Sequence, residues 1–142
     1  MMKNRLINTM IVLLTAILLV GAVAIITVNK LNDKKNHKEP SIEEVLKVSV
    51  DVPEITTNLA DNQYVKISFK VQTDGKKAKE ELVKRDFQIR NLIISELSEM
   101  EGEELSGKEG KQRLEEAMKT KMNELMQDGK IVKVYITSYI IS

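Results

Sequence analysis

Val65-Lys66-Ile67-Ser68-Phe69-Lys70-Val71-Gln72 alternates apolar and polar side chains without a break. A period of two puts Val65, Ile67, Phe69 and Val71 on one face and Lys66, Ser68, Lys70 and Gln72 on the other. One dry face and one wet face identify a strand of an antiparallel sheet covered on one side. Thr73-Asp74-Gly75 ends the strand, and the period then changes. Ala78, Leu82, Phe87, Ile89, Ile93, Ile94, Leu97 and Met100 recur at helical spacing, with Asp74 the expected N-cap. Lys79, Glu80, Glu81, Lys84 and Arg85 fill the outer side of this helix. The pairs Lys77–Glu81 and Glu81–Arg85, each four apart, predict a solvated surface.

Upstream, Val48, Val50 and Val52 alternate with Ser49 and Asp51, a strand expected to stop at Pro53. Ile55, Thr57 and Leu59 continue in extended form, and Asp61-Asn62 is a turn signal. Ser41 and Glu44 have the spacing of a capping box, so a short helix opens the domain. Downstream, Glu101 to Gly110 reads as an acidic connection, with Ser106 and Glu109 a second capping box. Leu114, Ala117, Met118, Met122, Leu125 and Met126 form the stripe of a further helix, closed by Asp128-Gly129. Ile131 to Ile141 is β-branched and aromatic, hence a strand. The order is β-β-α-α-β. The expected fold class is α+β, with an antiparallel sheet and two helices on one face of it, in residues 41–142.

Ahead of this domain, Leu6 to Val28 carries no charge. As a helix it is ~34 Å long, enough to cross a hydrocarbon core of ~30 Å. Inside lipid every backbone polar group needs an internal partner, which a helix supplies, and Thr15 can bond back to the preceding turn. A cleaved signal peptide is the rival, with Ala22-Val23-Ala24 as its processing site. The run continues through Ile25, Ile26 and Val28, which favours an uncleaved anchor. Lys3 and Arg5 precede the span; Lys30, Lys34, Lys35 and Lys38 come after it, so charge leaves the orientation open. Gly21 is its one glycine, so no GxxxG pairing motif is present. Residues 29–40 read as a polar, Lys- and Asn-rich tether holding His37.

Composition removes most chemistry. The chain has no cysteine, which excludes disulfides, thiol nucleophiles and cysteine zinc sites. A single histidine in a polar tether cannot serve a Ser-His-Asp triad or a multi-histidine metal site. From Pro40 on, 16 Lys and Arg stand against 19 Asp and Glu, a poor balance for nucleic-acid binding. Gly107-Lys108-Glu109-Gly110-Lys111 lacks the spacing and the hydroxyl of a phosphate loop. Glu96, Glu99, Glu101, Glu103 and Glu104 read as a solvated charge run, without the glycine and alternating oxygens of a calcium loop. Met118, Met122 and Met126 read as core filler. No catalytic residue, cofactor site or metal site is expected.

The last strand is apolar on both faces. By strict alternation Val132, Val134, Ile136 and Ile140 point one way, and Ile131, Tyr135, Tyr139 and Ile141 the other. A sheet covered on one side needs only one apolar face. Tyr135 and Tyr139 are therefore candidates for a contact surface, with covering the sheet edge the alternative.

An ordered set of segments completes the reading. After the apolar helix and the tether come Val50-Asp-Val-Pro-Glu-Ile-Thr-Thr-Asn-Leu59, Arg85-Asp-Phe-Gln-Ile-Arg-Asn-Leu-Ile-Ile94, Gly107-Lys-Glu-Gly-Lys111 and Val134-Tyr-Ile-Thr-Ser-Tyr-Ile140. The whole resembles FliL, the flagellar basal-body-associated membrane protein family. Two departures stand out: Ile136 in the final strand, and an end at Ser142 where the family often closes with Gln.

The resemblance implies a non-enzymatic accessory of the bacterial flagellar motor, acting in swimming, swarming and chemotaxis. It implies a cytoplasmic tail (1–5), a single inner-membrane span (6–28), a linker (29–40) and an extracytoplasmic domain (41–142) of stomatin/SPFH-like fold. Implied partners are the membrane, the MotA/MotB-type stator units, and further copies of the chain in a ring that stabilises or activates the stator. No nucleic acid, small-molecule substrate or cofactor is implied. A closed ring needs one patch on each side of the protomer. Arg90, Glu101, Glu103, Glu104, Tyr135 and Tyr139 are the candidates. The alternative is a membrane-anchored ligand-sensing or interaction domain unrelated to the stator, which requires a pocket with convergent polar groups.

Overall fold

The computed structural model describes residues 2–35 and 39–142. It falls into two units, Met1–Glu39 and Pro40–Ser142. The first is a single helix, α1 (Met2–Lys35), whose described side chains are all exposed. It is long and apolar enough to cross a membrane. Thr9, Thr15 and Thr27 each donate to the carbonyl four residues back, at 2.7, 3.0 and 2.7 Å, so their hydroxyls need no other partner. The helix continues beyond Val28 into the polar segment, because Lys, Leu and Asn extend a helix already nucleated. His37 lies outside the described residues.

In the second unit, α2 (Ile42–Lys47) opens on the expected box. The Ser41 N–H donates to the Glu44 carboxylate (2.9 Å), and the Glu44 N–H to Ser41 Oγ (3.3 Å). Strands β1 (Ser49–Asn58), β2 (Tyr64–Thr73) and β3 (Ile131–Ile141) form an antiparallel sheet in that order. Helices α3 (Lys76–Lys84), α4 (Asp86–Ser98) and α5 (Gly107–Leu125) lie between β2 and β3 in sequence, with a 3-10 turn at Gly102–Leu105 before α5. Helix α4 packs on β1 and α5 on β3. Val65, Ile67, Phe69 and Val71 of the central strand are buried with Ile89, Ile93 and Leu97 of α4 and Leu114, Met118 and Met122 of α5. Of the methionine stripe, Met118 and Met122 are core, and Met126 is partly buried against it.

Several expectations are corrected. The strand does not stop at Pro53. It runs through a bulge, with Val52 paired to Phe69 and Ile55 to Ile67, so Pro53 and Glu54 together oppose Ser68. An edge strand tolerates a proline there because it needs no donor on its open side. The single helix expected from Ala78 to Met100 is two. Arg85, at φ −89° and ψ 12°, breaks it, and neither proline nor glycine marks the place. The order is thus β-β-α-α-α-β behind the short α2. Asp74 does not cap α3, whose N-cap is Gly75. Ser106 is the N-cap of α5, but it forms no capping box with Glu109; its hydroxyl donates back to the Glu103 carbonyl (2.7 Å). Helix α5 ends at Leu125, before the Asp128-Gly129 stop.

The reason for that early end is Glu81, which is buried rather than solvated. Its carboxylate accepts from the backbone N–H of Asp128 (2.7 Å) and Gln127 (2.8 Å) and from Nε of Arg85 (2.8 Å). It therefore clamps the α5–β3 connection onto α3. Asn123 continues the clamp: its amide accepts from the Ile131 N–H (2.8 Å) and donates to the Ile131 carbonyl (3.0 Å), setting the start of β3. The Asp128 N–H is the main cause that holds the Glu81 pKa below the ordinary glutamate value, with Arg85 helping and burial opposing. A lowered folded-state pKa gives stability that is full above the unfolded value, about 4.3, and lost as pH falls through the folded one. Glu81→Gln is therefore expected to melt lower than wild type at pH 7, with a flatter dependence of Tm on pH between 6 and 3. Parallel Tm curves for the two proteins would refute the clamp.

Candidate functional site

Two bulges in β3 resolve its doubly apolar sequence. Ser138 pairs with Ser68 and Ile136 with Phe69, leaving Thr137 extra; Lys133 pairs with Gln72 and Ile131 with Thr73, leaving Val132 extra. Each extra residue switches the facing of the residues after it. Ile131, Val134, Ile136, Tyr139 and Ile141 all join the core side. Tyr135 and Ile140 take the open side, opposite Lys70 and Lys66. Strict alternation places the two tyrosines on one face; the bulge at Thr137 separates them.

Tyr139 is committed internally. Its hydroxyl donates to the Leu105 carbonyl (2.7 Å), and Lys111 Nζ stands 4.9 Å from its ring centre. Burial raises its pKa above the ordinary tyrosine value. It thereby supports the 3-10 turn that carries Glu103 and Glu104. The turn is held from the other side as well, by the Gly102 N–H on Asp61 Oδ2 (2.9 Å), while the Glu101 N–H donates to Glu104 (2.7 Å). The carboxylates of Glu101, Glu103 and Glu104 thus ride on a rigid, exposed turn. Tyr135 belongs elsewhere. It is half-buried on the open face, with Lys133 Nζ 4.9 Å from its ring centre and its hydroxyl 3.4 Å from Gln72 Oε1.

Arg90 sits on α4, paired with Asp86 at 3.1 Å. Beside it is a feature that periodicity conceals. Phe87 and Ile94 fit the apolar stripe by spacing, yet they are 71% and 42% exposed. Phe87, Arg90 and Ile94 are spaced three and four apart, so they share one side of the helix. Alternation and helical period find apolar residues; only the break at Arg85 shows that Phe87 starts a new helix and faces water. An exposed aromatic beside an arginine is the composition of an interface anchor.

Between α4 and α5 runs an open groove of about 450 Å³, lined by Leu92 and Leu125 and crossed by the Lys121–Glu96 pair (2.6 Å). That contact raises the Lys121 pKa. Among the described residues no group of three or more His, Asp or Glu is placed to hold a metal ion, and every buried side-chain polar atom has a partner. What the arrangement exposes is Phe87, Arg90 and Ile94 on the helical side, Tyr135 and Ile140 on the open side of the sheet, and an acidic turn.

Comparison with known proteins agrees with a flagellar role. The family model described as flagellar basal body-associated protein FliL matches residues 49–141. The chain is 41% identical over 119 residues to the flagellar protein FliL of Bacillus subtilis (strain 168), covering 84% of each chain. It is 30% identical over 92 residues to the flagellar protein FliL of Aquifex aeolicus (strain VF5), covering 63% of this chain and 57% of that one. The matched region begins at β1 and ends with β3, so it takes in the whole sheet, the clamp and both exposed surfaces. With its apolar N-terminal helix and this domain, the chain belongs to the FliL family of flagellar basal body-associated proteins.

Proposed function

We propose that this protein is a single-pass membrane accessory of the flagellar motor, with its amino terminus cytoplasmic and residues 41–142 outside. It surrounds a stator unit of the MotA/MotB type as a closed ring and favours the unit's active, ion-conducting state. The role is mechanical and uses no cofactor. The stomatin/SPFH-like architecture belongs to the same reading. The observation that carries it is the presence of two unlike exposed surfaces on one small domain. One is the helical stripe Phe87–Arg90–Ile94; the other is the open sheet face with Tyr135 and Ile140. A heterologous contact joins different patches of neighbouring protomers, and repeated by rotation it closes a ring. The acidic turn Glu101–Glu104, stiffened by Tyr139, is the proposed contact with the stator.

The test is site-specific photocrosslinking in motile cells from positions 87, 103 and 135. Products joining the helical stripe of one copy to the sheet face of the next, together with products from position 103 to stator subunits, are expected. Crosslinks to neither another copy nor a stator subunit would refute the reading.

A further inference from the structure

The α2–α3 side of the domain is built unlike the surfaces assigned above. Ile42 and Leu46 stand one turn apart on α2, 70% and 51% exposed, and Val83 on α3 is 54% exposed. Between the two helices lies an open, largely apolar groove of about 620 Å³, with Val48 and Val83 in its wall. Lys47, Lys76, Lys79 and Lys84 ring it, and Glu80 is the one carboxylate lining it. Lys79 Nζ donates to the Lys47 carbonyl (3.0 Å), which fixes the end of α2 against α3. On α2 itself, Glu44 is engaged in the capping box and Glu43 is exposed. From Pro40 on the chain carries more acid than base, so four lysines around one apolar groove are a segregated feature.

Apolar side chains rimmed by lysines match the boundary of a phospholipid bilayer. The hydrocarbon groups enter below the phosphates, and the ammonium groups on flexible stems stay level with them. Covalent reach points the same way. Helix α2 is the first element after α1. From Val28, seven helical residues and six others lead to Ile42, at most about 35 Å of chain. A tether of this length lets the start of α2 reach the bilayer that would hold the anchor, and tethering makes even weak contact effective.

We propose that the lysine-rimmed groove walled by Val48 and Val83, together with the exposed Ile42 and Leu46 of the adjoining helix α2, docks on anionic phospholipid headgroups of the membrane holding the anchor. The inference stands whether or not the domain meets a stator.

The full chain reconstituted in nanodiscs tests it. The sequence has no cysteine, so Leu46→Cys carries a single environment-sensitive fluorophore, and Thr120→Cys on α5 carries the reference. Lipids bearing a quencher at the headgroup boundary report contact. In discs with about a third phosphatidylglycerol, quenching at position 46 is expected to exceed that at 120 about threefold or more. It is expected to fall to the reference level in phosphatidylcholine discs, and in anionic discs with Lys76→Glu and Lys84→Glu together. Equal quenching at the two positions would overturn the proposal. So would quenching at 46 that ignores lipid charge, a comparison that needs no substituted lysine. A surface that serves a protein partner instead would make no lipid contact and would give the first of these results.

Discussion

Gly110→Ala is expected to destabilise the domain, although helix propensity alone predicts the opposite. Gly110 lies in the first turn of α5, where alanine would ordinarily gain up to ~1 kcal/mol over glycine. A Cβ at this position would stand 2.6 Å from the Glu104 carbonyl oxygen and 2.8 Å from the Leu105 carbonyl carbon. Both atoms are backbone and cannot rotate away, so the 3-10 turn itself must shift. Its neighbours resist: Leu105 is buried, its carbonyl takes the Tyr139 hydroxyl, and Gly102 is bonded to Asp61. Overpacking of this kind costs about 1–3 kcal/mol. The expected net result is a Tm lowered by about 5–10 °C for a domain of this size. Thermal unfolding of the full chain, followed by circular dichroism, measures it. A Tm equal to or above wild type would mean the turn yields freely, and the rigidity argued for the Glu101–Glu104 segment would fail with it.

Phe87→Glu is expected to do the reverse, sparing the fold and removing the function. The side chain is 71% exposed on the first turn of α4, so stability should change by no more than about 0.5 kcal/mol. At an interface, replacing an aromatic anchor by a charge is worth about 2 kcal/mol or more, roughly thirtyfold in each protomer–protomer affinity. In the proposed ring the loss recurs at every contact. Torque under viscous load should fall toward that of a deletion strain, with the protein still present at wild-type abundance and Tm. Full torque together with unchanged self-crosslinking would remove Phe87 from the interface. Arg90→Glu, one turn on, is expected to give a weaker form of the same defect.

These two residues mark the limit of what spacing reveals. Gly107 and Gly110 look alike in the sequence, faintly like a phosphate loop. In the fold, Gly107 supplies a positive φ of 73° at the start of α5, and Gly110 admits a neighbouring backbone. Arg90 and the glutamate turn are legible as exposed charges. Phe87 is not, because its spacing assigns it to the core. Tyr135 and Tyr139 stand out as aromatic, but alternation cannot place them once a bulge intervenes. Glu81 and Arg85 read as an ordinary surface pair, since a sequence does not show that the backbone of residues 127 and 128 arrives beside them.

Features that local chemistry controls were legible in the residues alone. Alternation at Val65–Val71 set the central strand and its dry face. The uncharged run from Leu6 to Val28 set a helix able to cross a membrane, the Ser41–Glu44 pair set the start of α2, and the spacing of Leu114, Met118 and Met122 set the core side of α5. Each depends on residues a few positions apart, where period and hydrogen-bond geometry act directly. Tertiary structure alone decided the facing of β3, the break at Arg85, the early end of α5 and the exposure of Phe87. Those depend on partners far along the chain: Ser68 and Phe69 opposite the Thr137 bulge, Glu81 reaching residues 127 and 128, and Leu105 receiving Tyr139. A buried carboxylate or a bulge is stable only when its distant partner is in place, so the fold and not the local pattern selects it.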